Sequence, residues 1–162
     1  MYSKLLVAID ASEASKLALE EAIKLAQGLR ASIRLLHVVD TWSLLTAGAA
    51  VVSYDTILEI MRGDGAQLLR DAAATVSRAH VNVETNLVET SDIQVGECIV
   101  RKARECEVDL IICGTHGRRG MRRLLVGSDA EYIVRHCPVP VLLVRTPEAV
   151  RANTLVAGGA AA

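Results

Sequence analysis

Residues 4–39 read KLLVAIDASEASKLALEEAIKLAQGLRASIRLLHVV. Lys4 to Ile9 (KLLVAI) is a short, nearly continuous apolar run, the pattern of a strand buried on both faces, and it stops at Asp10. From Ser12 to about Leu29 the apolar positions Leu17, Leu19, Ala22, Ile23, Leu25 and Ala26 recur at mostly helical intervals. Ser12 is placed to cap this helix and Gly28 lies near its end. Ala31 to Val39 (ASIRLLHVV) then forms a second β-rich run.

The same alternation continues to the end of the folded part. A helical pattern from about Asp55 to Ala79 leads into Val81–Val88, whose apolar and polar residues alternate as in a half-exposed edge strand. A helix from Ile93 to about Glu105 precedes the strand Asp109–Cys113 (DLIIC). Another, from about Asp129 to His136, precedes the strand Val139–Val144. Five strands alternating with four helical segments require crossover connections, and right-handed crossovers put helices on both faces of a parallel sheet. The expected class is therefore α/β, a doubly wound five-stranded parallel sheet. Two segments stand outside the pattern. Thr41–Val52 is apolar without a clear period and reads as a mobile loop or exposed helix extension near the site, and 147–162 is small-residue rich and reads as a flexible tail on a domain of residues 1–146.

Composition narrows the function. At 162 residues, about half of them apolar, the chain can bury one substantial core. Eighteen basic against nineteen acidic residues give a formal charge of −1, too balanced for the positive field that nonspecific nucleic-acid binding relies on. The cysteines Cys98, Cys106, Cys113 and Cys137 form no Cys-x-x-Cys pair and no zinc-type spacing, so they read as reduced, mostly buried thiols of a cytoplasmic protein. No run approaches the ~18–20 apolar residues of a membrane span, and strand-like sequence begins almost at Met1, so neither membrane anchor nor signal peptide is expected.

Open parallel sheets bind ligands beyond the carboxyl ends of their strands, where the strand order reverses. The loop after the first strand, Asp10-Ala11-Ser12-Glu13, has no glycine, so the dinucleotide fingerprint is missing there. After the fourth strand the chain reads Gly114-Thr-His-Gly117-Arg-Arg-Gly120-Met-Arg-Arg-Leu-Leu-Val-Gly127-Ser128, and a helix follows. Glycines admit close backbone approach, so Gly114 and Gly117 would shape a nest of amides for phosphate. Gly127-Ser128 opens a helix whose amides and partial positive charge favour an anion, to which the Ser128 hydroxyl adds a donor. The alternative is ordinary turn punctuation with an ordinary N-cap. No P-loop is present, because no lysine stands beside the last glycine.

On these residues the sequence resembles the universal stress protein family, whose ATP-binding members carry Gly-x2-Gly-x9-Gly-(Ser/Thr) after the fourth strand; Gly114, Gly117, Gly127 and Ser128 fill it without a gap. The resemblance spans about Ser3 to Arg145, including His37-Val38-Val39-Asp40 and His136-Cys-Pro-Val-Pro-Val-Leu-Leu-Val144. It implies a Rossmann-like, adenine nucleotide α-hydrolase-like fold of strand order 3-2-1-4-5. It also implies an adenine nucleotide, ATP with Mg, as ligand. Asp10 would then face ribose or a phosphate-bound metal, or else cap the following turn. Val38 would read the adenine edge through its backbone, Ala8 and Cys113 would line the base, and Asp129, beside Ser128 at the helix mouth, would belong to the nucleotide-binding set. His116, inside the glycine loop, could donate to phosphate or be a plain surface histidine. Arg118, Arg119, Arg122 and Arg123 read mainly as a solvated loop, and His37 and His80 are given no metal.

No nucleophile elbow, triad or carboxylate cluster is present in the sequence, so binding is the expected activity and the catalytic set is empty. The first reading is a nucleotide-responsive regulatory protein acting on an unidentified protein partner. The alternatives are a slow ATP-hydrolysing or self-phosphorylating enzyme and a ligand-free dimeric module. The apolar strand Val139–Val144, last in the sheet, would be an aggregation hazard if left open, and the resemblance implies that it pairs across a two-fold axis in a homodimer.

Overall fold

The alternating runs fold as strands β1 (Lys4–Ala8), β2 (Ser32–Asp40), β3 (Val83–Thr90), β4 (Leu110–Gly114) and β5 (Val141–Val144), and helices α1 (Glu13–Leu29), α2 (Tyr54–Arg78), α3 (Val95–Glu105) and α4 (Ser128–His136). They were obtained from a computed structural model that describes residues 2–41, 54–115 and 127–147. The expectations for the segment after Thr41, for His116, Gly117 and the arginines of the glycine loop, and for the tail beyond Pro147 lie outside the described residues.

The sheet is parallel throughout, in the order β3-β2-β1-β4-β5. The order reverses between β1, which continues to β2, and β4, which lies on the other side of β1. Both strands end in loops at this switch point, the place where open parallel sheets bind their ligands. Strand β3 is an edge and alternates between exposed and half-buried positions, as its sequence pattern indicates.

Some boundaries move, each for a physical reason. β5 begins at Val141 instead of Val139, because Pro140 has no N–H for the ladder and serves only through its carbonyl, which accepts from Ile111 N at 3.0 Å. β3 runs on to Thr90 because β2 pairs with it in register as far as Asp40 opposite Thr90. α3 starts at Val95, two residues late, because the Ile93 carbonyl is drawn into a turn by the Thr90 hydroxyl at 2.9 Å.

Two cores flank the sheet, as the period-two alternation of β1 and β4 requires. Leu5, Val7, Leu110 and Ile112 pack under α1 and α2, while Leu6, Ile111 and Cys113 pack under α3 and α4. Helix α1 presents an alanine ridge to the sheet. Ala14, Ala18, Ala22 and Ala26, spaced by four, are buried, whereas Leu17, Leu19, Ile23 and Leu25 flank the contact half-buried. Small residues in that ridge let the helix axis lie close to the strands. Cys98 and Cys113 are buried, and all four thiols are free of disulfides. No helix among the described residues is long and apolar enough to cross a membrane.

At the amino edge of the sheet, Asp109 accepts from Ser3 N at 2.7 Å, Ser3 Oγ at 2.8 Å and Lys4 N at 2.9 Å. Hydrogen bonds to the ionised form, chiefly those from Ser3, bring its pKa down to about 2 from 3.8. A lowered folded-state pKa means that this stabilisation is fully present above about pH 4 and is lost as the pH falls through about 2. Asp109→Asn is accordingly expected to melt below the parent at pH 7, with the difference closing as the pH approaches 2. Melting curves across that range check this; a gap that persists at pH 2 would contradict it.

Candidate functional site

Between β1 and α1 the chain turns through a compact set of polar contacts. Asp10 Oδ1 accepts from the Ser12 amide at 2.9 Å and from the Ser12 hydroxyl. Ser12 Oγ caps α1 by accepting from Ser15 N at 3.2 Å, and Ser15 Oγ accepts from Asp10 N at 3.0 Å. Asp10 thus organises the turn into α1. Its half-buried position keeps it at the mouth of the switch point.

His37 pins this turn from the neighbouring strand. Its Nδ1 lies 2.7 Å from the Ile9 carbonyl, and because a carbonyl only accepts, Nδ1 carries the proton. The buried ring has room only because Gly65 of α2 lacks a side chain: a Cβ there would stand 2.6 Å from His37 Cδ2. On the far side, the Thr41 amide and hydroxyl both donate to the Thr90 carbonyl, at 2.9 and 3.0 Å, and tie together the ends of β2 and β3.

Ala8, Val38 and Cys113 share the face of the sheet covered by α3 and α4. Ala8 and Val38 are only half covered, so small apolar surface is left toward the carboxyl edge. Cys113 is inert as a nucleophile. Burial pushes its thiol up to about 12, and the nearby acidic groups Cys137, Asp10 and Asp129 oppose its ionisation further.

Gly114 ends β4, and its missing side chain is accounted for by packing. A Cβ would sit 2.6 Å from Ala14 Cβ and 2.9 Å from Ala14 C, so the glycine lets the first turn of α1 close over the strand. Thr115 N then donates to Val144 O at 2.9 Å, and Gly127 N donates to Thr115 O at 2.7 Å. These bonds bring the two ends of the glycine loop together and consume the Gly127 amide.

The amides that remain belong to α4. Its first helical bond runs from Glu131 N to Gly127 O at 2.9 Å. Ser128, Asp129 and Ala130 therefore have no acceptor within the helix, and the N-cap, Gly127, has no side chain to supply one. Ser128 is exposed. Asp129 Oδ1 instead accepts from Gly96 N of α3 at 3.1 Å. Among the described residues no group of His, Cys, Asp and Glu is arranged to hold a metal by itself.

The structure therefore gathers Ala8, Asp10, Val38, Cys113, Gly114, Gly127, Ser128 and Asp129 at one edge of the sheet. It also adds His37, Thr41, Thr90 and Gly96, whose parts depend on partners far away in the chain.

The model of the universal stress protein family matches residues 1–145. The chain belongs to that family. A universal stress protein of Methanocaldococcus jannaschii is 30% identical over 148 residues, covering 91% of this chain and 85% of the relative. The universal stress protein YxiE of Bacillus subtilis is 32% identical over 151 residues, covering 90% of this chain and 100% of the relative. The crystal structure of a family protein from Burkholderia pseudomallei superposes with a TM-score of 0.70 at 31% identity, covering 88% of this chain and 96% of the other. Two further universal stress proteins share the fold at 20% and 19% identity, with TM-scores of 0.63 and 0.62. The first, in complex with cAMP, covers 89% of this chain and 97% of its own; the second, from Archaeoglobus fulgidus in complex with dAMP, covers 88% and 98%.

Proposed function

We propose that this universal stress protein binds ATP at the carboxyl edge of its sheet and acts as a nucleotide-responsive regulatory protein. The observation that carries the reading is the start of α4, where three consecutive amides without helical acceptors follow a glycine cap at the switch-point end of the sheet. Such amides, aided by the helix dipole, suit a phosphate, and the exposed Ser128 hydroxyl adds a donor. The half-covered Ala8 and Val38 beside Cys113 offer an apolar wall for a base, and adenine nucleotides in the two related complexes support the ligand class.

In this reading His116 and Gly117 contribute from the loop that joins Thr115 to Gly127. Asp10 faces the ribose or a phosphate-bound magnesium ion. A triphosphate beside Asp10 and Asp129 would crowd like charges, which a divalent cation on the phosphates relieves. The cation supplies charge neutralisation, and the chain supplies donors and shape. Binding at two separate loops would let the nucleotide bias a surface seen by a protein partner, in the cytoplasm. The half-covered apolar edge β5 would be closed by a second copy, and a monomer mass by light scattering at micromolar concentration would contradict that part.

The test is mass spectrometry of ligand released from denatured protein, together with calorimetric titration by ATP, AMP and GTP. Adenine nucleotide released by the parent, or ATP taken up in preference to GTP, is expected. Ser128→Ala should bind ATP roughly 10- to 100-fold more weakly, since one hydrogen bond to a charged phosphate contributes about 1.5–3 kcal/mol. A parent that neither carries nor takes up an adenine nucleotide would overturn the reading.

A further inference from the structure

We propose that Asp129 is a positioning residue: it holds the first turn of α4 against the first turn of α3 and so aims the amides of Ser128 and its neighbours, which have no acceptor within the helix. The proposal rests on the nucleotide reading above and assigns to Asp129 a part other than contact with the ligand.

Two independent features meet at this place. Helix α3 lacks a cap of its own, because Gln94 at its N-cap makes no side-chain bond. Asp129, on a different helix and 33 positions away, supplies it by accepting from Gly96 N at 3.1 Å. A carboxylate at a helix N-terminus is favourably placed for the dipole as well as for the bond. The second feature is steric. A Cβ on Gly96 would lie 2.8 Å from the Asp129 carbonyl oxygen and 3.0 Å from Tyr132 Cβ, so the two helix starts approach as closely as a glycine permits. The bond and the glycine together lock the height and rotation of α4 relative to the sheet.

The arrangement carries an electrostatic cost, because the bonded carboxylate keeps its charge. Asp129 sits in the same turn as the amides offered to phosphate, where a carboxylate would repel the ligand. Bonding to the α3 amide commits one carboxylate oxygen to the neighbouring helix. The residue thereby contributes order to the phosphate end of the site.

The experiment compares the parent with Asp129→Asn, Asp129→Ala and Gly96→Ala for binding of ATP and of adenosine by calorimetry. Exchange of the Gly96 amide is followed by NMR in the parent and the Asp129 variants. Asparagine keeps an acceptor oxygen without the charge, and alanine keeps neither. Expected is a roughly tenfold weaker ATP affinity in Asp129→Ala and in Gly96→Ala, with adenosine affinity within about twofold of the parent, because only phosphates reach α4. Asp129→Asn should hold ATP as well as the parent or better, and the Gly96 amide should exchange slowly in the parent and Asp129→Asn but fast in Asp129→Ala. ATP binding in Asp129→Ala equal to or tighter than the parent's overturns the proposal, because charge alone would then be the residue's effect. So does a parallel loss for adenosine, which would mark a general structural defect. A parent that binds no nucleotide sinks the nucleotide reading itself, and the exchange rates then still report whether the clamp exists.

Discussion

Ser128→Pro is expected to weaken ATP binding by a hundredfold or more while leaving the fold in place. Ser128 is the first helical residue of α4, the position at which proline is best tolerated, because the amide it removes has no helical acceptor. The residue before it already has the conformation that a following proline demands, since Gly127 stands at φ −72° and ψ 159°. The substitution therefore deletes one amide donor and one hydroxyl donor with little cost to the helix. Two hydrogen bonds to a charged phosphate, at about 1.5–3 kcal/mol each, correspond to roughly 10²- to 10⁴-fold in affinity. Calorimetric titration measures the loss, and a melting curve within a few degrees of the parent's shows that the fold survived. An ATP affinity unchanged by this variant would remove the helix mouth from the site.

The largest expected effect on stability is at Gly114. Its replacement by alanine places a methyl 2.6 Å from Ala14 Cβ and 2.9 Å from Ala14 C, and the second of these is backbone that cannot turn aside. Overpacking of this kind costs about 1–3 kcal/mol. For a chain of this size that corresponds to a fall of roughly 3–10 °C in Tm. The strand must drop away from α1, or α1 must lift, and either movement disturbs the Asp10 turn. Adding Ala14→Gly should recover part of the loss by removing one of the two clashing groups, at the cost of about 1 kcal/mol in helix propensity. A double-mutant cycle separates these contributions, and strictly additive losses would show that the two positions do not press on each other.

These expectations draw on different kinds of information. The strand and helix runs were legible because burial on both faces of a parallel sheet leaves continuous apolar runs such as KLLVAI and DLIIC. The spacing of Gly114, Gly127 and Ser128 pointed to one sheet edge because parallel topology sends the carboxyl ends of all strands the same way. The helix register was less legible. In α1 the periodic set Leu17, Leu19, Ala22, Ile23, Leu25 and Ala26 mixes large and small residues, yet of these only the alanines are buried, because a close approach of helix to sheet leaves room for small side chains alone. The reason for Gly114 was also hidden, since it lies in Ala14, a hundred positions earlier.

By itself, the amino-acid sequence determined the α/β class, the five strands, the family and the edge of the sheet where its glycines and short polar residues collect. All of these follow from local patterns of hydrophobicity and backbone freedom. Only the tertiary structure decided which amides have no acceptor within the helix at the mouth of α4, that Gly127's own amide is used by Thr115, that His37 fits against a helical glycine, and that Asp129 caps a helix other than its own. Hydrogen-bond satisfaction and close approach are properties of neighbours in space, and linear spacing carries no record of which distant residue becomes the neighbour.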